Sequence, residues 1–120
     1  MNEPIGKESL SFLKGKELLQ ICIGLYQIIL KFEASLCISV EGKIIIRSGA
    51  KIISWNQKFE KADFLISDIL GSKIFDVDIN EDYTISINLD KDNSVIELYK
   101  TGKNDFESYN IEDPDNNIIV

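Results

Sequence analysis

Histidine is absent from all 120 residues. That removes the usual general base, the Ser-His-Asp and Cys-His forms of nucleophilic catalysis, and the commonest protein metal ligand. Cysteine occurs only as Cys22 and Cys37, too few for a structural zinc site unaided. Each lies in an apolar stretch and reads as a small buried hydrophobe. A disulfide between facing strands is the alternative, which a reducing cytosol disfavours. Phosphate-binding loops are missing as well: Gly15, Gly24, Gly42, Gly49, Gly71 and Gly102 stand singly, and none opens a GxxxxGK or GxGxxG pattern. No apolar run reaches the roughly 18–20 residues of a bilayer span; the longest, Leu18 to Leu30, is broken by Gln20, Gly24 and Gln27. The opening Met1-Asn2-Glu3-Pro4 has no basic-then-apolar order of a secretory signal, so the expectation is a soluble, cytoplasmic protein.

Aspartate is missing from the first half. Residues 1–60 hold eight Lys+Arg against six Glu, a net of +2, while residues 61–120 hold five Lys against ten Asp and four Glu, a net of −9. The whole chain carries −7. This balance argues against direct nucleic-acid binding, which needs a cationic surface. It suits steering toward a basic partner, or merely solubility.

What is present is apolar material for one core. The hydrophobic fraction is 44%, and 120 residues make a single domain, 1–120. Leu10 and Leu13, three apart before Gly15, predict a short N-terminal helix over Lys7 to Lys14. Alternation at Leu19, Ile21 and Ile23, then at Tyr26, Ile28, Leu30 and Phe32, predicts a hairpin turning at Gly24-Leu25. Leu36 to Val40 reads as a third strand, and Ile44–Arg47 with Lys51–Trp55 as a further hairpin. Phe59, Ala62, Leu65 or Ile66, and Ile69 recur at helical spacing, which predicts a central amphipathic helix over Lys58 to Leu70. Strands follow at Lys73–Ile79, Tyr83–Leu89, Ser94–Lys100, Phe106–Ile111 and Ile118–Val120.

The second series echoes the first. Leu13, Gly15, Ile21 and Ile23 stand 56 residues before Ile69, Gly71, Val77 and Ile79; Tyr26, Ile28, Leu30 and Phe32 stand 57 before Tyr83, Ile85, Ile87 and Leu89. The spacing predicts two pseudo-repeats, about 7–40 and 63–100, each a helix end, a glycine and a three-strand meander. The expected class is α+β, mostly antiparallel β, as a curved sheet or half-barrel under two helices. Outward positions of the second meander, Asp76, Asp78, Thr84, Ser86, Asn88 and Glu97, are polar, so that face should be wet. Those of the first include Cys22, Ile29 and Cys37, an apolar face that a helix or a second copy would cover.

Few residues could carry chemistry. Asp76 and Asp78 are strand neighbours, and Asp90 and Asp92 flank a turn, but a glycosidase pair needs a concave, partly desolvated cleft. Asp90-Lys91-Asp92-Asn93-Ser94 starts like a calcium loop, then has Val95 where glycine is required and Thr101 where glutamate is. A solvated turn is the plainer reading. Trp55, beside Ile52 and Ile53, is either core or a binding hot spot. The residues thus predict no catalytic group, no metal and no cofactor: a non-enzymatic binding protein.

The runs QICIGLYQIILKFE (20–33), CISVEG (37–42), ILGSKIFDVDI (69–79), YTISINLDKDNSVIELYK (83–100) and the closing FESYNIEDPDNNIIV (106–120) together resemble a group of small bacterial proteins. Members of that group occur among the immunity proteins of contact-dependent growth inhibition and related polymorphic toxin systems. The resemblance implies a protein that neutralises a cognate secreted toxin domain, a nuclease and most readily an RNase, by stoichiometric blockade. It implies an acidic docking surface at Asp76, Asp78, Glu81, Asp82, Asp90, Asp92 and Glu97, with Trp55 or Tyr99 as apolar anchors. The free protein would be a monomer or weak dimer without membrane contact. The alternative is a structural or regulatory domain that self-associates through its apolar first sheet.

Overall fold

The structure, a computed structural model, describes residues 6–49, 51–56, 69–100 and 108–120. Antiparallel strands dominate it. They run as β1 (Leu18–Ile23), β2 (Ile28–Phe32), β3 (Cys37–Val40), β4 (Lys43–Ser48), β5 (Lys51–Asn56), β6 (Ile74–Ile79), β7 (Ile85–Leu89), β8 (Val95–Tyr99), β9 (Tyr109–Glu112) and β10 (Asn117–Ile119). A first sheet has the order β1-β2-β3-β9-β10 and a second β6-β7-β8-β4-β5. Each three-strand meander is therefore extended by a hairpin from the other half of the chain.

Period-two alternation explains why these segments are strands. Ile28, Leu30 and Phe32 of β2, Ile85, Ile87 and Leu89 of β7, and Ile96 and Leu98 of β8 are buried. With Ile38, Val40, Ile44, Ile46, Trp55, Tyr109 and Ile111 they form one core shared by both sheets. Each fully buried Leu or Ile contributes about 1.5–3 kcal/mol. The two five-stranded sheets share this core, where two curved meanders under helices were expected. Two residues carry the chain from β3 to β4, and the N–H groups of Glu41 and Gly42 both donate to the Ser108 carbonyl (3.0 and 2.9 Å).

The N-terminal helix is 3₁₀, Lys7–Leu13, and packs on β6. At three residues per turn Leu10 and Leu13 lie on one face, and both are buried. The expected central helix falls almost wholly outside the described residues, as does the segment before β9. Ile69, at the end of that predicted helix, is buried.

A seam of backbone hydrogen bonds joins the sheets at one corner. Gly15 N–H donates to Ile74 C=O (2.7 Å) and Gly71 N–H to Leu18 C=O (2.8 Å); Ile74 N–H donates to Lys16 C=O (3.0 Å) and Leu18 N–H to Ser72 C=O (2.8 Å). Within each pair, moving by 56 residues exchanges one bond for the other. Next to the seam both edge strands slip register, between Leu18 and Gln20 and between Ile74 and Asp76. These bulges correct the expected alternation. Leu18 and Ile74 are the buried residues, while Leu19, Ile23 and Phe75 are 55%, 45% and 59% exposed. Tyr26 is a turn residue, not a strand residue.

The outer face of the first sheet is also less apolar than expected. Cys22, Ile29 and Cys37 are half-buried there among Gln20, Lys31, Ser39, Asn110 and Glu112. Both cysteines are free. They sit on β1 and β3 with β2 between, roughly 10 Å apart at normal strand spacing, which is beyond disulfide reach.

Gly15 and Gly71 have φ of +84° and +85°, and a Cβ at either would meet nothing within 4 Å. A substitution there is penalised by the backbone alone. Gly15→Ala and Gly71→Ala should each lower stability by about 1–2 kcal/mol, and by similar amounts, in urea denaturation. A neutral Gly15→Ala would show that the seam does not form.

Candidate partner-binding groove

The β6–β7 connection builds one side of an open groove. Asn80 N–H donates to Thr84 C=O (3.1 Å), and the Asn80 Oδ1 accepts from the N–H of Asp82 (2.9 Å) and of Thr84 (3.0 Å). This leaves a three-residue loop, Glu81-Asp82-Tyr83, whose last residue takes the left-handed conformation that such hairpins require, with φ +59° at Tyr83. The Asn80 side chain occupies the loop interior, so Glu81 and Asp82 are left exposed. Tyr83 is held from behind: the buried Tyr109 hydroxyl donates to its carbonyl at 2.6 Å. Burial raises the Tyr109 phenol well above its ordinary value, so it remains a donor at all ordinary pH.

The other side is the outward edge of β8. In register, Asp78 pairs with Ser86 and Ser86 with Glu97, a polar row across β6, β7 and β8 that ends at Ile45 of β4. Asn80, Glu81, Asp82, Tyr83, Thr84, Ser86, Glu97, Tyr99 and Lys100 together enclose about 700 Å³. That lies in the size range of ligand pockets, although this one is open and mixed in polarity. Glu97 accepts from Arg47 Nε at 2.7 Å, and this bond raises the arginine's affinity for its proton. Lys43 Nζ lies 4.9 Å from the Tyr99 ring centre, and Lys100 Nζ 5.2 Å from that of Tyr83.

Four of the nine residues expected to dock a partner therefore meet here: Glu81, Asp82, Glu97 and Tyr99. Trp55 does not. It is 1% exposed within the core, which corrects its reading as an anchor. Asp90 and Asp92 lie at the opposite end of β7, about five residues of strand away, or some 17 Å. Asp90 accepts the Lys73 N–H at 2.8 Å, a structural cap, and Asp92 occupies a turn at φ +53°. Asp76 and Asp78 share the outer face but are already paired. Lys7 Nζ is 3.0 Å from Asp78 and 3.6 Å from Asp76, with Lys14 at 3.7 Å from Asp76.

Among the described residues the expected docking acids thus fall into separate groups, and first-half cations pair with three of them, Asp76, Asp78 and Glu97. Reading the sequence missed Tyr83 as a groove residue. Its signal was present, a tyrosine directly after a polar Asn-Glu-Asp turn. Among the described residues, no three Cys, Asp or Glu side chains gather as a metal-ligand set.

The Lys7 clamp has a defined pH window. The Val77 backbone N–H holds the Asp76 carboxyl below its ordinary value of 3.8; desolvation opposes this, and Lys7 and Lys14 reinforce it. The hydrogen bond to Asp78, with the charges of Asp76 and Asp78, raises the Lys7 amine above its ordinary 10.5. A lowered carboxyl stabilises the fold above its unfolded value and stops doing so as pH falls through its folded one. A raised amine stabilises below its unfolded value and stops as pH rises through its folded one. Lys7→Met should therefore lower the melting temperature slightly at pH 7. The difference should shrink as pH falls through the lowered value of the Asp76 carboxyl, and at about 1 M salt. A difference that persists at low pH would assign Lys7's contribution to packing of its stem.

No protein-family model, curated protein or solved structure matches the chain.

Proposed function

We propose that the chain is an immunity-type inhibitor of the cytoplasm, which binds a basic toxin domain one to one and blocks it through the β6–β7 groove. The toxin would be a nuclease, most readily an RNase. The observation that carries this reading is the groove: exposed Glu81 and Asp82, half-buried Glu97, and the two tyrosine rings Tyr83 and Tyr99 in one concavity. Aromatic side chains fixed beside carboxylates suit a protein partner's cationic groups, and an overall charge of −7 speeds the approach of a basic one.

An internal comparison supports the same place. We propose that the halves are duplicates, since the seam bonds, the two bulges and the sheet orders correspond across them. Inward residues correspond too: Leu30 with Ile87, Ile38 with Ile96, Val40 with Leu98. Outward residues at the groove differ in kind: Gln27 against Thr84, Ile29 against Ser86, Ser39 against Glu97, Glu41 against Tyr99. The corresponding cleft of the first sheet, around Gln27, Ser39, Glu41 and Asn110, holds only about 150 Å³. On this reading the core pattern was kept in both copies while one groove was enlarged and came to carry Glu97 and Tyr99 where the other has Ser39 and Glu41.

A second reading, self-association through the first sheet, is favoured by Leu25 and Tyr26, 81% and 70% exposed in the β1–β2 turn, and by Leu19, 55% exposed at the other end of β1. It predicts a concentration-dependent dimer by sedimentation.

Co-purification from the native gene neighbourhood should recover one basic polypeptide at equal stoichiometry. Against that partner, Glu81→Lys with Asp82→Lys should weaken binding by about tenfold or more at physiological salt, since charge reversal at a central contact costs over 1.4 kcal/mol. Asp90→Lys with Asp92→Lys should change it by less than about threefold, the effect of remote charge under screening. Equal effects of the two pairs would remove the groove from the interface. Recovery of this chain alone would favour the self-association reading.

A further inference from the structure

The groove already shows the chemistry it would use on a partner. Its two tyrosine rings each have a cation of this same chain near the face, Lys43 at Tyr99 and Lys100 at Tyr83, at 4.9 and 5.2 Å. Both distances lie within the roughly 6 Å over which a ring quadrupole attracts a cation. Its half-buried carboxylate, Glu97, holds a guanidinium by a short bond, 2.7 Å from Arg47 Nε. The recorded bond uses only Oε1 of that carboxylate. At the mouth, Glu81 and Asp82 are exposed and have no ion-pair partner among the described residues.

We infer that the occupant of the groove is an arginine side chain of a protein partner, stacked on a tyrosine ring and paired with the carboxylates of Glu81 or Asp82. This rests on the reading that the groove is the partner-binding face. Arginine is favoured over lysine for a physical reason. A planar guanidinium can lie flat on a ring and still present a fork of donors to a carboxylate, whereas an ammonium is a compact, strongly hydrated point charge. At Tyr83 the chain's own lysine does not bar entry. Lys100 is exposed, and a solvent-exposed cation–π contact is worth only about 0.5–1 kcal/mol, so an incoming guanidinium displaces its ammonium at little cost.

The test uses the full chain, isotopically labelled, titrated at physiological salt with a tetra-arginine peptide and separately with a tetra-lysine peptide, while amide shifts are followed by NMR. The expected result is that shifts centre on Glu81–Ser86 and Glu97–Lys100, with the arginine peptide bound at least about fivefold more tightly. Tyr83→Gly removes one ring and at the same time relieves the left-handed backbone, so this variant should fold at least as well as the parent. Both it and Tyr99→Leu should abolish the preference for arginine. Glu81→Gln with Asp82→Asn should weaken both peptides. Equal affinity for the two peptides, shifts centred on Asp90 and Asp92, or a preference that survives both tyrosine variants would overturn the inference. The titration needs no toxin, so its failure is separate from a failure of co-purification. A toxin that binds at the groove, in a protein that shows no arginine preference, would remove this inference and leave the proposed function standing.

Discussion

Four backbone hydrogen bonds between residues 15–18 and 71–74 decide where the rest of the molecule lies. Leu18, Ser72 and Ile74 are buried at this corner, so their backbone donors and acceptors must be paired, and here each half of the chain satisfies the other. The pairing requires a left-handed residue on each side, which Gly15 and Gly71 supply and a side chain would resist. It also uses up the first positions of both edge strands, so the register must slip immediately afterwards. The bulges at Leu18–Gln20 and Ile74–Asp76 follow. They turn Leu19 and Phe75 to solvent and aim Asp76 and Asp78 at the lysines of the 3₁₀ helix. The direction of β6, and so the position of its turn and of the groove, is set by this corner.

The groove is then held from the opposite sheet. Tyr109 belongs to β9 in the first sheet, yet its hydroxyl ends on the carbonyl of Tyr83 in the second. A buried hydroxyl without a partner costs roughly 1–3 kcal/mol, so the two sheets cannot slide without breaking this bond. The bond in turn pins a residue whose left-handed backbone is unfavourable for a bulky side chain. Strain of that kind persists where surrounding structure over-determines it, and here it fixes the orientation of a ring that lines the cavity.

Much of the strand content was legible because one-sided burial writes itself as alternation. Ile28, Leu30 and Phe32, like Ile85, Ile87 and Leu89, were readable as inward residues from spacing alone. The bulges were not readable, since Leu18-Leu19 and Ile74-Phe75 offer two apolar neighbours each, and only the hydrogen bonds of the seam select the first. Nor was the exchange of hairpins between sheets, which is a long-range pairing with no local signature. In the groove, Glu81, Asp82, Glu97 and Tyr99 were identifiable from their turn and their outward phase. The ion pairs of Asp76 and Asp78 were not, because their partners Lys7 and Lys14 come from the other end of the chain. Trp55 shows the limit of composition: tryptophan suits a hot spot and a core equally, and burial alone separates them.

Charge in this molecule serves two separable ends. The excess of acid in the second half survives as a net field, because Lys7, Lys14 and Arg47 neutralise particular groups without cancelling the total. A field acts at a distance of about a Debye length, some 8 Å at physiological salt, and would govern how often the proposed basic partner arrives. Holding the partner requires groups free to make new contacts, and these are fewer. Asp76, Asp78 and Asp90 are already engaged in the fold, and each would have to break a native contact to serve an interface. Glu81 and Asp82 have no ion pair among the described residues to give up. The loop that carries them is ordered by Asn80 inside and Tyr109 behind, so little conformational entropy remains to be lost when a partner docks. On the proposed reading, specific recognition would concentrate at the β6–β7 end of the second sheet, while Asp76, Asp78 and Asp90 serve the stability of the fold.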